Sequence, residues 1–198
     1  MPIDFHYFVC SPPCRSVILL AKAIGVHLNL KTTCPAKGDL TKSGFAKVRI
    51  NYSQYEIPKI DDGGFILSKS PPIMGYLVNK YAKNDSLYPK DPRKRGIVDQ
   101  MLYFDTGMLS ENIIKCYVLV FFGAHSVNEV DVQAVEKSCE LLNTFLDGRE
   151  FAAGDTMTIA DFAIMVCYIF YKFGFEEVHA PGTKMFTELY RANLQESS

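Results

Sequence analysis

No stretch of this chain is both apolar and long enough to cross a membrane. The longest candidate, Ile159 to Phe175, carries Asp161 and Lys172 and falls short of the ~20 residues a span needs. Charge of one sign is also lacking. The formal net charge is -1, from 21 Lys+Arg against 22 Asp+Glu, which excludes the basic footprint of a nucleic-acid or anionic-membrane binder. The four histidines are scattered, and no Cys/His spacing matches a zinc site. Met1-Pro2-Ile3-Asp4 lacks the basic and apolar regions of a signal peptide. No internal repeat or low-complexity segment is present. Six cysteines invite a disulfide reading, but that reading suits short secreted chains. Cys116, Cys139 and Cys167 lie in apolar helical stretches and read as small core residues. A reducing, cytoplasmic setting without metal, nucleic acid or membrane is the expectation.

What is there is enough apolar residue, 48% of 198, for one compact domain or two small ones. Ile3 to Val9 reads as a strand. Pro12-Pro13 then suits a helix start, where a missing N–H costs nothing. Val17 to Ile24 reads as a buried helix ended by Gly25, and His27 to Thr33 as a second strand. Pro35 to Asn51 is polar and basic, with one short helix expected. Glu56 to Ile60 and Gly64 to Ser68 form a hairpin joined by Asp61-Asp62-Gly63, followed by a helix from Pro71 to Tyr81. Asn84 to Pro92 is a linker by composition.

Beyond it the pattern is helical: Arg93 to about Phe122 as one long helix, Val127 to Leu146, and a weaker one from Lys184 to Leu194. Thr158-Ile159-Ala160-Asp161 is a capping box, with Met157 and Phe162 at the positions of a hydrophobic staple. The division expected is an α/β layer over 1–83, a linker over 84–92 and a helical domain over 93–198.

That plan resembles the cytosolic glutathione transferases: an α/β thioredoxin-like N-terminal domain followed by an all-α C-terminal domain. Ser11-Pro12-Pro13-Cys14-Arg15-Ser16-Val17 is similar to the first-helix start of the insect delta and epsilon classes. Asn84-Asp85-Ser86-Leu87-Tyr88-Pro89 resembles their linker. Leu102-Tyr103-Phe104-Asp105 and Leu142-Asn143-Thr144-Phe145-Leu146 resemble stretches of their helical domain, and Ala153-Gly154-Asp155 with the capping box resembles their helix-six motif.

The resemblance implies glutathione as co-substrate, a small hydrophobic electrophile as acceptor, a detoxifying role and a homodimer. It makes Ser11 the catalytic residue. A hydroxyl donating to sulfur beside a helix N-terminus favours the thiolate; taken without the family, Ser11 reads first as an N-cap. Cys10 offers an alternative, a mixed disulfide with glutathione, as in omega-class transferases. Cys10 and Cys14 are spaced C-x-x-x-C, not as a thioredoxin dithiol.

For glutathione binding the resemblance points to Ile57 and Pro58, with a cis peptide, and to Ser70 at a helix N-terminus. Tyr55 is a donor for the glycyl end, and Asp39 would repel that end. Two neighbours depart from the family pattern. The acidic partner of the glutathione ammonium is replaced by Lys69, and the arginine that grips the carboxylate by Pro71. Like charges about 4 Å apart repel by roughly 4 kcal/mol near a surface, close to a thousandfold in affinity. Glu56 would replace the lost carboxylate in part if its side chain turned toward the ligand. Weakened glutathione binding is therefore the expectation.

Met108, Ile113, Tyr117 and Phe121 lie on one stripe; such a stripe is most often core, and the resemblance implies instead that Met108, Tyr117 and Phe121 line the acceptor pocket. The chain stops at Ser198, some twenty residues (roughly) before the family pattern, so an open, shallow pocket is expected. A non-catalytic binding protein and a thiol reductase acting through Cys10 are the competing functions.

Overall fold

The computed structural model describes residues 2–8, 11–33, 57–118 and 128–175, the side chains of 117, 118 and 173–175 excepted. It divides the chain into two compact units, Met1–Tyr88 and Pro89–Ser198.

The first unit is a four-stranded sheet with two helices. Strand β1 (Ile3–Tyr7) leads through Ser11 into α1 (Pro12–Ala23), and β2 (Leu28–Thr32) returns parallel to β1. β3 (Lys59–Asp62) and β4 (Phe65–Ser68) form an antiparallel hairpin, and α2 (Ser70–Tyr81) follows. The sheet order is β2-β1-β3-β4, because β1 also pairs antiparallel with β3. Ile3, Phe5, Val17, Leu20, Ile60, Ile73, Met74 and Leu77 are buried between sheet and helices, each such side chain contributing about 1.5–3 kcal/mol.

The hairpin loop differs from expectation. Asp61 and Asp62 continue β3, and the turn is Gly63-Gly64 alone. Both glycines have positive φ, 64° and 95°, which is the backbone a two-residue hairpin turn demands. The Gly64 N–H also donates to Asp61 Oδ1 at 2.7 Å. Asp62 instead pins α2 to the hairpin, accepting from Lys80 Nζ at 2.7 Å and from the Tyr76 and Tyr81 hydroxyls at 2.5 Å each. Burial pushes its carboxyl up, but these donors outweigh that and hold it at about 2.

The second unit, among its described residues, is built of helices with one isolated bridge, Phe151 to Gly154. α3 (Pro92–Phe104) is capped by Asp91, which accepts from the N–H of Arg93 and of Lys94. The expected long helix does not continue unbroken. A π turn over Asp105–Leu109 leads to α4 (Ser110–Ile113), and a second π turn spans Ile114–Val118. Each π turn advances the backbone beyond the α register, so the stripe predicted from α spacing is broken. Thr106 Oγ1 donates to the Leu102 carbonyl at 2.9 Å at the first of them. α5 (Glu129–Leu146) starts at Asn128, whose side chain accepts from the Asp131 N–H.

α6 (Ile159–Phe175) is buried on every side from Ile159 to Tyr168, as expected of a helix at the centre of its unit. Half of the capping box forms: the Asp161 carboxylate reaches back to the Thr158 N–H, while the Asp161 N–H goes to the Thr158 carbonyl at 3.1 Å. Asp161 accepts from the Thr158 N–H at 2.7 Å, from Thr158 Oγ1 at 3.0 Å and from the Ala152 N–H at 2.8 Å. Burial raises the Asp161 pKa, partly offset by those donors; the carboxylate holds the fold. Cys116, Cys139 and Cys167 are buried core residues, as is Cys14. The segments expected as helices over 35–51 and 184–194 lie outside the described residues.

Candidate active site

Strand register gathers the candidate residues of the first unit at one end of the sheet. His6 of β1 stands opposite Lys59 of β3, and Lys59 opposite Ser68 of β4. Just beyond that row come Ser11, after the end of β1; Ile57-Pro58, before the start of β3; and Lys69-Ser70, after the end of β4. The Ile57-Pro58 peptide is cis. The Lys69 N–H donates to the Pro58 carbonyl at 3.2 Å, tying two of the three segments together.

Ser11 is the N-cap residue of α1, extended at φ -82°, ψ 115°, and half-buried. Its carbonyl accepts from the Cys14 and Arg15 N–H groups, both at 3.1 Å. Its side chain makes no capping hydrogen bond. Pro12 and Pro13 occupy the first two helical positions and have no N–H to offer. The hydroxyl bonds instead with the Cys14 side chain. Burial raises the Cys14 pKa, and the bonds to the Ser11 side chain and the Phe8 backbone offset that only in part.

At the start of α2, Lys69 has φ 73° and ψ 134°, a left-handed backbone that costs a non-glycine residue about 1–3 kcal/mol. The side chain that departs from the family pattern thus sits at a strained N-cap and is exposed. Ser70 is buried, at 9% exposure. Pro71 and Pro72 follow it, so of the first three helical residues only Ser70 carries an N–H. The next one, of Ile73, donates to the Lys69 carbonyl at 3.1 Å. An anion site at a helix N-terminus works through those N–H groups. The loss therefore extends beyond the arginine missing at Pro71: with Ser70 as the first helical residue, Pro72 removes a further backbone donor. Lys59, directly after Pro58, is wholly buried. Burial lowers the His6 pKa; the negative charge of Asp4 opposes this, and the positive charges of Lys59 and Lys31 add to it.

The stripe proposed for an acceptor pocket is only partly described. Met108 lies in the first π turn and is half-buried. Ile113 is 1% exposed and belongs to the core of its unit. The Tyr117 side chain lies outside the described residues, as do Phe121, Tyr55, Glu56, Asp39 and Cys10. Sequence reasoning missed Asp105. It is 5% exposed, with Ser110 Oγ at 2.9 Å, and burial pushes its carboxyl up to about 6. A π turn that aims it inward has no signature in the residue pattern. No group of His, Cys, Asp and Glu suited to a metal occurs among the described residues.

No protein-family model matches the sequence. Solved structures do. A delta-class glutathione transferase of Nilaparvata lugens is 42% identical, with a TM-score of 0.79 over 84% of this chain and 77% of the other. A glutathione transferase of Bombyx mori is 37% identical, with a TM-score of 0.89 over 99% and 90%.

This chain belongs to the glutathione transferase family.

An epsilon-class glutathione S-transferase of the housefly, Musca domestica, is 29% identical at a TM-score of 0.82, covering 96% of this chain and 84% of its own. This family member therefore has the glutathione transferase fold, a thioredoxin-like unit and a helical unit, and resembles the insect delta and epsilon classes. No helix among its described residues is long and apolar enough to cross a membrane.

Proposed function

We propose that the protein conjugates glutathione to small apolar electrophiles, with glutathione held weakly. The observation that supports this most is the Ser11 hydroxyl, which caps no helix N–H and stands at the sheet end shared by the cis Ile57-Pro58 step and Ser70. A free thiol titrates near about 8.5, so only a few per cent is thiolate at neutral pH. A hydroxyl donating to sulfur favours the anion. The thiolate then attacks the electrophilic carbon: the C–S bond forms, the leaving group departs with its electron pair, and the thiol proton goes to solvent. Ile57 would pair its backbone with the cysteinyl part, Tyr55 would meet the glycyl end, and Ser70 the γ-glutamyl carboxylate. Met108, Tyr117 and Phe121 would line the acceptor side. A homodimer, a cytoplasmic location and a detoxifying role belong to the same proposal.

A second reading is favoured by Lys69, Pro71 and Pro72: a ligand-binding protein that keeps the fold without efficient glutathione use. Retention on immobilised glutathione and conjugation of a nitroaromatic chloride decide between them. Turnover that falls about a hundredfold in Ser11→Ala, as general-acid or hydrogen-bond contributions of this kind do, supports the enzyme. Neither retention nor turnover supports the binding protein. Turnover lost in Cys10→Ala but kept in Ser11→Ala would indicate a thiol reductase instead.

A further inference from the structure

We infer that this site selects a thiol peptide whose amino-terminal end carries a carboxylate with no ammonium beside it, an inference that rests on the proposed reading of the sheet end as the thiol-binding site. In glutathione the two groups share one carbon, which puts the ammonium nitrogen roughly 3 Å from the carboxylate oxygens. Wherever Ser70 meets that carboxylate, the ammonium comes with it. The backbone there is pinned. The Lys69 N–H donates to the Pro58 carbonyl at 3.2 Å, and the Lys69 carbonyl accepts from the Ile73 N–H at 3.1 Å. Lys69 is thus held between the cis Ile57-Pro58 step and the first turn of α2, directly before Ser70.

An ammonium taken out of water needs an acid to pair with. The segments 8–16, 57–59 and 68–74, which make this end of the sheet, contain no Asp or Glu, and their charged residues are Arg15, Lys59 and Lys69, all basic. The first turns of α1 and α2 hold no acid. The acids of the four strands are engaged elsewhere. Asp4 accepts from Asn29 and faces Lys31 at 3.8 Å. Asp61 accepts from the Gly64 N–H at the hairpin turn. Asp62 holds Lys80, Tyr76 and Tyr81. The carboxylate half of the ligand is better served. Ser70 offers a hydroxyl, and the exposed Lys69 has a flexible stem that lets its charge follow an anion. Lys69 attracts the carboxylate and repels the ammonium on the same carbon, so the two effects largely cancel for glutathione. Without the ammonium only the attraction remains. The simplest ligand of this class is glutaryl-cysteinyl-glycine, which is glutathione with hydrogen in place of its ammonium.

Titration calorimetry of the full-length protein with glutathione and with glutaryl-cysteinyl-glycine, at low salt, tests this without any variant. The protein should bind the ammonium-free thiol tighter by about tenfold or more. Lys69→Glu should reverse the preference, because the new carboxylate pairs with the ammonium and repels the carboxylate left alone. Glutathione bound as tightly as its analogue, or more tightly, overturns the inference and leaves the thiol site standing; an acid such as Glu56 would then meet the ammonium. A preference that survives unchanged in Lys69→Glu overturns the part given to Lys69. If neither thiol binds, the reading of this sheet end as a thiol-binding site fails as well.

Discussion

Replacing Asp105 by asparagine should make the protein's stability less dependent on pH between about 4 and 6. The carboxyl is enclosed in the first π turn of the helical unit at 5% exposure. Ser110 Oγ stands 2.9 Å from Asp105 Oδ1 and 3.1 Å from Cys167 Sγ. No cation stands beside it among the groups that set its pKa: burial raises it to about 6 from 3.8, and only the Ser110 hydroxyl opposes the shift. Because the folded pKa lies above the unfolded one, the fold binds the proton more tightly than the unfolded chain. Below about 3.8 both states are protonated and the stability is fully present. It is lost as pH rises to about 6, where the folded carboxyl ionises. Two units at about 1.36 kcal/mol each amount to roughly 3 kcal/mol. Asparagine keeps an acceptor for Ser110 and removes the ionisation. In urea unfolding across pH 3.5 to 7.5 (roughly the window set by the two pKa values), the stability of Asp105→Asn relative to wild type should therefore rise by about 3 kcal/mol from the acid end to neutrality. A difference that stays flat with pH would show that Asp105 titrates in the fold as it does in the open chain, and would refute the burial argument.

Other expectations follow from the same geometry. Lys69→Glu with Pro71→Arg should tighten glutathione binding by at least tenfold, since a repulsion becomes an attraction and a guanidinium donor is regained; titration calorimetry reads this, and no gain would mean these residues do not face the ligand. Asp161→Ala leaves the buried N–H groups of Ala152 and Thr158 without their acceptor and should cost at least about 2 kcal/mol by urea midpoint, with Asp161→Asn milder. Gly75→Ala should cost about 1–3 kcal/mol, because a Cβ there would meet the Tyr88 ring at 2.9 Å; a neutral effect in thermal unfolding would show that the ring gives way easily.

Much of this architecture is legible from residue order. A proline entering an extended Ile57-Pro58 step, a Thr158-to-Asp161 capping box and the strand–helix–strand succession each impose local geometry that packing does not override. The cis peptide at Ile57-Pro58 matches what the family resemblance implies, and the Thr158 N–H bond to the Asp161 carboxylate matches the capping rule; the bonds from Ala152 N–H and Thr158 Oγ1 are additions of the fold. What remains hidden is set by tertiary context. The hairpin turn falls at Gly63-Gly64 rather than Asp61-Asp62-Gly63, because register with β1 and β4 keeps both aspartates in the strand. The α-helical spacing that joined Met108, Ile113, Tyr117 and Phe121 assumes 3.6 residues per turn, and the two π turns break it. The weakness of the α2 start is partly readable: Pro71 removes an arginine, but Pro72 matters only once Ser70 is known to be the first helical residue.

A structure of the complex with glutathione tests the central claim most directly. The account predicts the glutathione sulfur within hydrogen-bond distance of Ser11 Oγ, with the cysteinyl backbone paired to Ile57. Sulfur bound elsewhere, or no glutathione in the site at saturating concentration, would contradict it.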